Sequence, residues 1–325
     1  MAKVCVLGDG GWGTALTVLL HSKGVDTVLW SAFPEYAEYL DKKRENVKFL
    51  KGIKLPSDLK ITSDKGDAAE SEYAVFAVPC EYLAGVAEKF KDASFSYVIS
   101  ATKGIDTGRL RRPSEILKEV FPDKDIGVLS GPCIAMEVAG GVPTASVLAA
   151  EGEWKKDAQK LLTTERFRVY TAGDVTGVEF GGALKNIVAI AAGISDGLGF
   201  GANTKAAILT RGLAEIMRLG VKMGARKDTF YGLSGIGDLA TTCISGFSRN
   251  RWFGEELARG KDASEIVSET EMVVEGMATS RAACKLADEH SVDMPITRKI
   301  YQIIYEHLDP GTAVNDLMTR DLKEE

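Results

Sequence analysis

Several charged and polar residues sit where they could act on a small anionic substrate. Lys103 stands in Thr102-Lys103-Gly104, directly after the apolar run 97–101. Ligands of open parallel sheets bind beyond the carboxyl ends of strands, so Lys103 is either a cation in such a crevice or a solvated loop lysine. Lys185 and Asn186 interrupt a segment apolar almost all round, F-G-G-A-L-K-N-I-V-A-I-A-A-G-I. Desolvation disfavours an ammonium and draws a lysine toward the range useful for proton transfer, unless its stem snorkels to water. Asp238 follows the turn Gly235-Ile236-Gly237, and Ser248-Arg249-Asn250-Arg251 opens a helical segment after Gly246. A helix start carrying Ser, Arg and Asn suits a phosphate monoester, through N–H groups and guanidinium hydrogen bonds. The bland alternative is a plain N-cap with a solvated basic first turn.

A second chemical signal lies at the start of the chain. The short apolar run Lys3–Leu7 leads into Gly8-x-Gly10-x-x-Gly13 and then into helical spacing at Leu16, Leu19 and Leu20. A strand, a glycine turn and a helix N-terminus in this order form a dinucleotide-binding unit. Gly8 makes the turn, Gly10 lets backbone approach a pyrophosphate, and Gly13 lets helix and strand pack closely. The residue past the second strand, residues 27–30, commonly meets the adenosine ribose: an acid favours NAD and an arginine NADP. Here Ser31-Ala32-Phe33 is neither, so the preference stays open.

The elements that must position these groups fall into two regions. Apolar runs at 73–78, 97–101 and 126–130 read as parallel strands covered on both faces, and Thr144–Ala150 and 166–171 as further strands. From about Gly177 the pattern turns helical, at 178–194, 204–223, Lys227–Tyr231, 248–259, Glu275–His290 and 296–307. The expected fold is α/β, with an N-terminal Rossmann-type doubly wound sheet over residues 1–175 and an all-α C-terminal domain over 176–325.

The whole chain bounds the function. Its 325 residues fit two domains, and a net charge of -6 argues against nucleic acid or an anionic membrane as general partner. Scattered histidines (His21, His290, His307) and five widely spaced cysteines without C-x-x-C argue against a metal site and a disulfide framework. No signal peptide is seen and no membrane span is expected, so the expected location is cytoplasmic.

The ordered segments G-D-G-G-W-G-T-A-L (8–16), A-T-K-G (101–104), S-G-P-C-I-A (130–135), G-V-E-F-G-G-A-L-K-N (177–186), S-D-G-L-G-F-G-A-N (195–203), G-I-G-D-L (235–239), S-R-N-R (248–251) and V-V-E-G (273–276) resemble the NAD(P)-dependent glycerol-3-phosphate dehydrogenases of bacteria over nearly the whole length. The resemblance implies reversible reduction of dihydroxyacetone phosphate to sn-glycerol 3-phosphate, with NAD or NADP, for phospholipid synthesis. It implies Lys185 as proton donor and acceptor, Lys103 at substrate and cofactor, and Asp238 fixing lysine and substrate. Gly131, Cys133, Asn186, Thr242, Ser248, Arg249 and Asn250 complete the implied substrate set. Gly8, Gly10, Gly11, Trp12, Gly13, Lys103, Gly131, Ala135, Arg249, Val273 and Glu275 form the implied cofactor set. A homodimer is implied as well. Cys133 stands where the family usually has Ser or Thr, and Ala32 where bacterial members often carry Arg or His. Two other readings compete: a lysine-dependent 3-hydroxyacid or 6-phosphogluconate-type dehydrogenase, and a non-catalytic dinucleotide sensor.

Overall fold

The computed structural model describes residues 2–322 and 324. Eight strands, β1 (Lys3–Leu7), β2 (Asp26–Trp30), β3 (Lys60–Thr62), β4 (Tyr73–Phe76), β5 (Tyr97–Ser100), β6 (Asp125–Ser130), β7 (Thr144–Ala150) and β8 (Phe167–Ala172), form one sheet in the order β3-β2-β1-β4-β5-β6-β7-β8. All neighbours are parallel except β6 and β7. Helices α1 (Gly11–Ser22), α2 (Pro34–Lys43), α3 (Lys65–Ala69), α4 (Cys80–Lys89), α5 (Pro113–Val120), α6 (Ala135–Ala139) and α7 (Trp154–Leu162) lie between the strands.

Alternation along the strands builds two cores. Val4 and Val6 face one layer with Leu16 and Leu20 of α1 and Leu162 of α7. Cys5 and Leu7 face the other, with Leu83 of α4 and Ile116 and Leu117 of α5. Strands buried on both faces read as continuous apolar runs, which is why their positions are visible in the sequence. The antiparallel direction of the β6–β7 pair leaves no such signature, and β3, three residues with Lys60 exposed and Ile61 and Thr62 half-buried, is too short to stand out.

The remaining helices are α8 (Val175–Gly197), α9 (Ala202–Lys222), α10 (Asp238–Ile244), α11 (Arg249–Ala258), α12 (Ala263–Ser268), α13 (Glu275–His290), α14 (Pro295–Tyr305) and α15 (Pro310–Met318), with a 3₁₀ turn at Lys227–Tyr231 and a π-helical turn at Leu233–Gly237. The chain divides into two compact units. One runs to Lys103 and resumes over Arg111–Glu179; the other takes Gly104–Leu110 and the chain from Phe180 onward.

Helix α8 is the axis of the second unit. It is buried without interruption from Gly177 to Ser195. Its length and hydropathy meet the requirement for crossing a membrane, but 94% of its apolar stretch is buried in the protein, as in a core helix. Its neighbours approach at backbone distance. A Cβ on Gly193 would lie 1.9 Å from the Arg251 carbonyl oxygen, one on Gly181 2.3 Å from that of Ser234, and one on Gly254 of α11 2.1 Å from that of Ile190. No side-chain atom fits between the α8 and α11 backbones there. Gly254→Ala is therefore expected to lower stability by about 1–3 kcal/mol or more through overpacking, measured as a shift of the denaturation midpoint, whereas Gly246→Ala, with nothing near its Cβ, should leave it unmoved.

Candidate active site

In the first unit the glycine loop has the geometry its chemistry requires. Gly8 has φ +121°, and a Cβ there would meet the Ala77 carbonyl oxygen at 2.6 Å. The loop thus crosses the ends of β1 and β4, where the strand order reverses and ligands of such sheets bind. Gly13 packs against the Gly8 carbonyl, where a Cβ would sit 2.0 Å away. Gly10 faces open space and caps α1 without any side chain, so the first N–H groups of the helix keep an unblocked approach. A pyrophosphate fits that cradle, which offers amide donors and the positive end of a helix.

Other expected cofactor residues border this loop. Gly11 packs against the Phe49 carbonyl and Ala135 of α6. The Trp12 indole nitrogen is buried with no partner among the described residues, and its ring centre lies 6.3 Å from that of Phe167. Lys103 donates to the Gly131 carbonyl at 3.0 Å, bringing these two together after β5 and β6. Gly131, at φ +129°, lets the turn pass Ser146, whose hydroxyl lies 3.0 Å from the Cys133 thiol.

Asp9 is the residue that the sequence reading passed over. It lies between Gly8 and Gly10, and its carboxylate accepts a hydrogen bond from the Ser31 hydroxyl. Burial raises the carboxyl from its ordinary range, against the opposing pull of the Ser31 bond. Two features could have marked it: an acid inside a phosphate-binding loop, and the absence of one after β2.

In the second unit, Lys185 projects from α8 with only 7% of its surface exposed. Its ammonium donates to Thr242 Oγ1 at 2.6 Å and lies 2.9 Å from Asp238 Oδ1. Thr242 in turn donates to the Asp238 carbonyl one helical turn earlier, at 2.7 Å, which fixes the hydroxyl as an acceptor for the lysine. The π-helical turn delivers Asp238 to the first position of α10, and its Gly235 passes so close to Phe230 that a Cβ would lie 2.0 Å from the carbonyl oxygen. Beside the pair, burial pushes the Cys243 thiol up to about 12, so it stays neutral. The lysine is held by a carboxylate and a hydroxyl, and its stem does not carry it to water.

A second polar cluster forms one residue along α8. Asn250 donates to Asn186 Oδ1 at 2.9 Å and accepts from the Gly276 N–H at 2.9 Å, while Asn186 donates to Glu275 Oε2 at 3.3 Å. Ser248 caps α11 by accepting from the Arg251 N–H, as the bland reading had it, and leaves Arg249 exposed. Arg249, Trp252, Met272 and Val274 help to line a cleft of about 380 Å³. Arg251 donates to Asp196 at 2.7 Å, and Lys205 lies 2.6 Å from the same carboxylate. Burial pulls Asp196 up, but these two cations outweigh it and hold the carboxyl below its usual range. Among the described residues no cluster of His, Cys, Asp and Glu could hold a metal ion.

A Rossmann-type unit followed by a helical unit carrying a buried lysine is the architecture of nicotinamide-dependent dehydrogenases. Residues 3–155 match the model of the NAD-dependent glycerol-3-phosphate dehydrogenase N-terminus and residues 174–315 that of its C-terminus. The chain belongs to this family. It is 46% identical to a glycerol-3-phosphate dehydrogenase (NAD(P)+) of Pelodictyon phaeoclathratiforme over 99% of both chains. It is 47% identical to that of Pelotomaculum thermopropionicum, over 98% of this chain and 93% of the relative. The crystal structure of glycerol-3-phosphate dehydrogenase from Coxiella burnetii superposes with a TM-score of 0.94 at 36% identity, covering 98% of this chain and 99% of that one. The expected fold class holds, and the carboxylate-substrate and sensor alternatives are not favoured.

The asparagine cluster can be tested by itself. Asn250→Ala removes a donor from Asn186 and leaves the Gly276 N–H buried without its acceptor, a loss expected at about 1–3 kcal/mol. Urea denaturation should show it as a lowered midpoint, and an unchanged midpoint would show that the cluster does not stabilise the fold.

Proposed function

We propose that Lys185 is the proton donor and acceptor of an NAD(P)-dependent glycerol-3-phosphate dehydrogenase, interconverting dihydroxyacetone phosphate and sn-glycerol 3-phosphate for glycerophospholipid synthesis. The observation that carries this reading is the buried Lys185–Asp238–Thr242 arrangement. A carboxylate at 2.9 Å and a hydroxyl at 2.6 Å hold the buried ammonium, so Nζ is fixed in orientation for proton transfer. In reduction Lys185 polarises the ketone and protonates the developing alkoxide; in oxidation it takes the hydroxyl proton back. Asp238 and Thr242 keep the lysine oriented throughout.

The bound nicotinamide dinucleotide supplies or accepts the hydride. Gly8, Gly10, Gly11, Trp12 and Gly13 hold its pyrophosphate side through backbone, and Lys103, Gly131, Ala135, Arg249, Val273 and Glu275 complete its contacts. On the substrate side, Ser248, Arg249 and Asn250 open α11 and hold the phosphate through guanidinium and amide donors. Lys103, Gly131, Cys133 and Asn186 complete the substrate set. In this reading residues 1–175 are the dinucleotide-binding domain and 176–325 the helical substrate-binding domain, each also lending residues to the other's ligand. The enzyme works in the cytoplasm as a homodimer, a reading supported by the half-exposed Ile208 and Leu209 on α9 and by Phe200, which is 40% exposed.

The direct test follows consumption of the reduced cofactor by its absorbance with dihydroxyacetone phosphate as substrate. Lys185→Met should lower kcat by about 10²–10⁴-fold, the usual contribution of a positioned acid–base group, with dinucleotide affinity unchanged. A near-normal kcat in this variant would refute the assignment. Sedimentation equilibrium should give twice the chain mass of 34.9 kDa; a single-chain mass at micromolar concentration would refute the dimer.

A further inference from the structure

Where the strand following the first helix ends, this chain has Ser31-Ala32-Phe33, with no charge to read the adenosine ribose. The structure supplies a charge from elsewhere. β1 and β2 are neighbours with Leu7 opposite Trp30, so Asp9 and Ser31 emerge together from their carboxyl ends. The Ser31 hydroxyl donates to Asp9 Oδ2 and also lies 3.2 Å from the Phe33 carbonyl, while its oxygen accepts from the Phe33 N–H at 3.1 Å. With the Ser31 proton turned toward these acceptors, the Asp9 carboxylate is the acceptor that this corner offers a ligand.

Asp9 is also held in place. Its carbonyl accepts from the side chain of fully buried Asn46 at 2.7 Å and from Thr14 Oγ1 at 3.2 Å. Asn46 is itself fixed by the Tyr36 hydroxyl at 2.7 Å and by its bond to Thr14 at 2.8 Å. A carboxylate clamped at this place accepts hydrogen bonds from ribose hydroxyls and repels a phosphate ester on the same sugar. The nearby cation, Lys48, is on an exposed loop with its ammonium 5.2 Å from the Phe49 ring centre.

We propose that Asp9, carried on the glycine loop and positioned by Ser31 and Asn46, is the residue that selects NAD(H) over NADP(H) in this chain. The inference rests on the dinucleotide reading of the glycine loop. It places the specificity acid on the loop after β1, where the common arrangement has it at the end of β2.

The test is equilibrium binding without substrate, read by the fluorescence of the reduced nicotinamide and by calorimetry. The unmodified protein should bind NADH at least about tenfold more tightly than NADPH, a difference of about 1.4 kcal/mol. Asp9→Ala should bring the ratio close to one, by weakening NADH and strengthening NADPH. Asp9→Asn keeps the size of the side chain and removes the charge, so it should strengthen NADPH even if the alanine variant folds poorly. Circular dichroism establishes that each variant is folded. Equal or tighter binding of NADPH by the unmodified protein, or an unchanged ratio in both variants, would overturn the proposal while leaving the dinucleotide site intact. Failure of the unmodified protein to bind either cofactor would overturn both.

Discussion

The structure depends on keeping an ammonium inside a protein core. Lys185 lies on a helix buried along most of its length, and an ammonium taken out of water costs several kcal/mol unless its protons find acceptors. Asp238 and Thr242 provide them from α10, one turn apart on the same helical face. That pairing constrains the surrounding backbone. The π-helical turn before Asp238 must fold tightly against Phe230 and lie against α8 at Gly181, two contacts that leave no room for a Cβ. The glycines are therefore as much part of the lysine's environment as its acceptors are.

The same helix ties Lys185 to the polar cluster at the start of α11. Lys185 and Asn186 are consecutive, so their side chains diverge by about 100° around the helix axis. One reaches α10; the other reaches Asn250 at the start of α11 and Glu275 at the start of α13. The α11 backbone is pressed against α8 through Gly193 and Gly254, and Arg251 is held by Asp196 from the end of α8. Arg249 and Asn250 are thus placed by contacts around them and not by their own reach. The lysine proposed to carry the proton and the helix start proposed to hold the phosphate share one rigid support, which is the preorganisation that a transition state with a developing alkoxide requires.

Much of this was legible in the residues and some was not, for physical reasons. Strands covered on both faces appear as apolar runs, and α8 appears as a helix apolar all round because it has no solvent face. Lys185 and Asn186 stand out there because polar groups in such a surface need an explanation. Asp238 could be singled out after its glycine turn, but its bond to Lys185 joins residues far apart in the chain and depends on the fold. The direction of β7 and the short helices α10, α12 and α15 left little pattern, since a helix of one or two turns carries too few apolar positions for periodicity. Ser248 shows the limit of motif reasoning: its type announced a helix start, and it serves as that cap whatever else it does.

Asp9 shows why a fingerprint is better read in space than in sequence. The rule that an acid follows the second strand describes where negative charge must lie relative to the ribose, and a sheet offers more than one chain position for that place. Adjacent parallel strands in register end side by side, so a residue two beyond β1 and one beyond β2 meet, as Asp9 and Ser31 do. The hydroxyl after β2 is then the donor that orients the acid, and the acid belongs to the loop that carries the glycines. Such an exchange needs a loop that holds its shape, since a mobile carboxylate would be screened and would discriminate little. The buried Asn46, bonded to the Asp9 carbonyl and to Thr14 of α1, provides that rigidity.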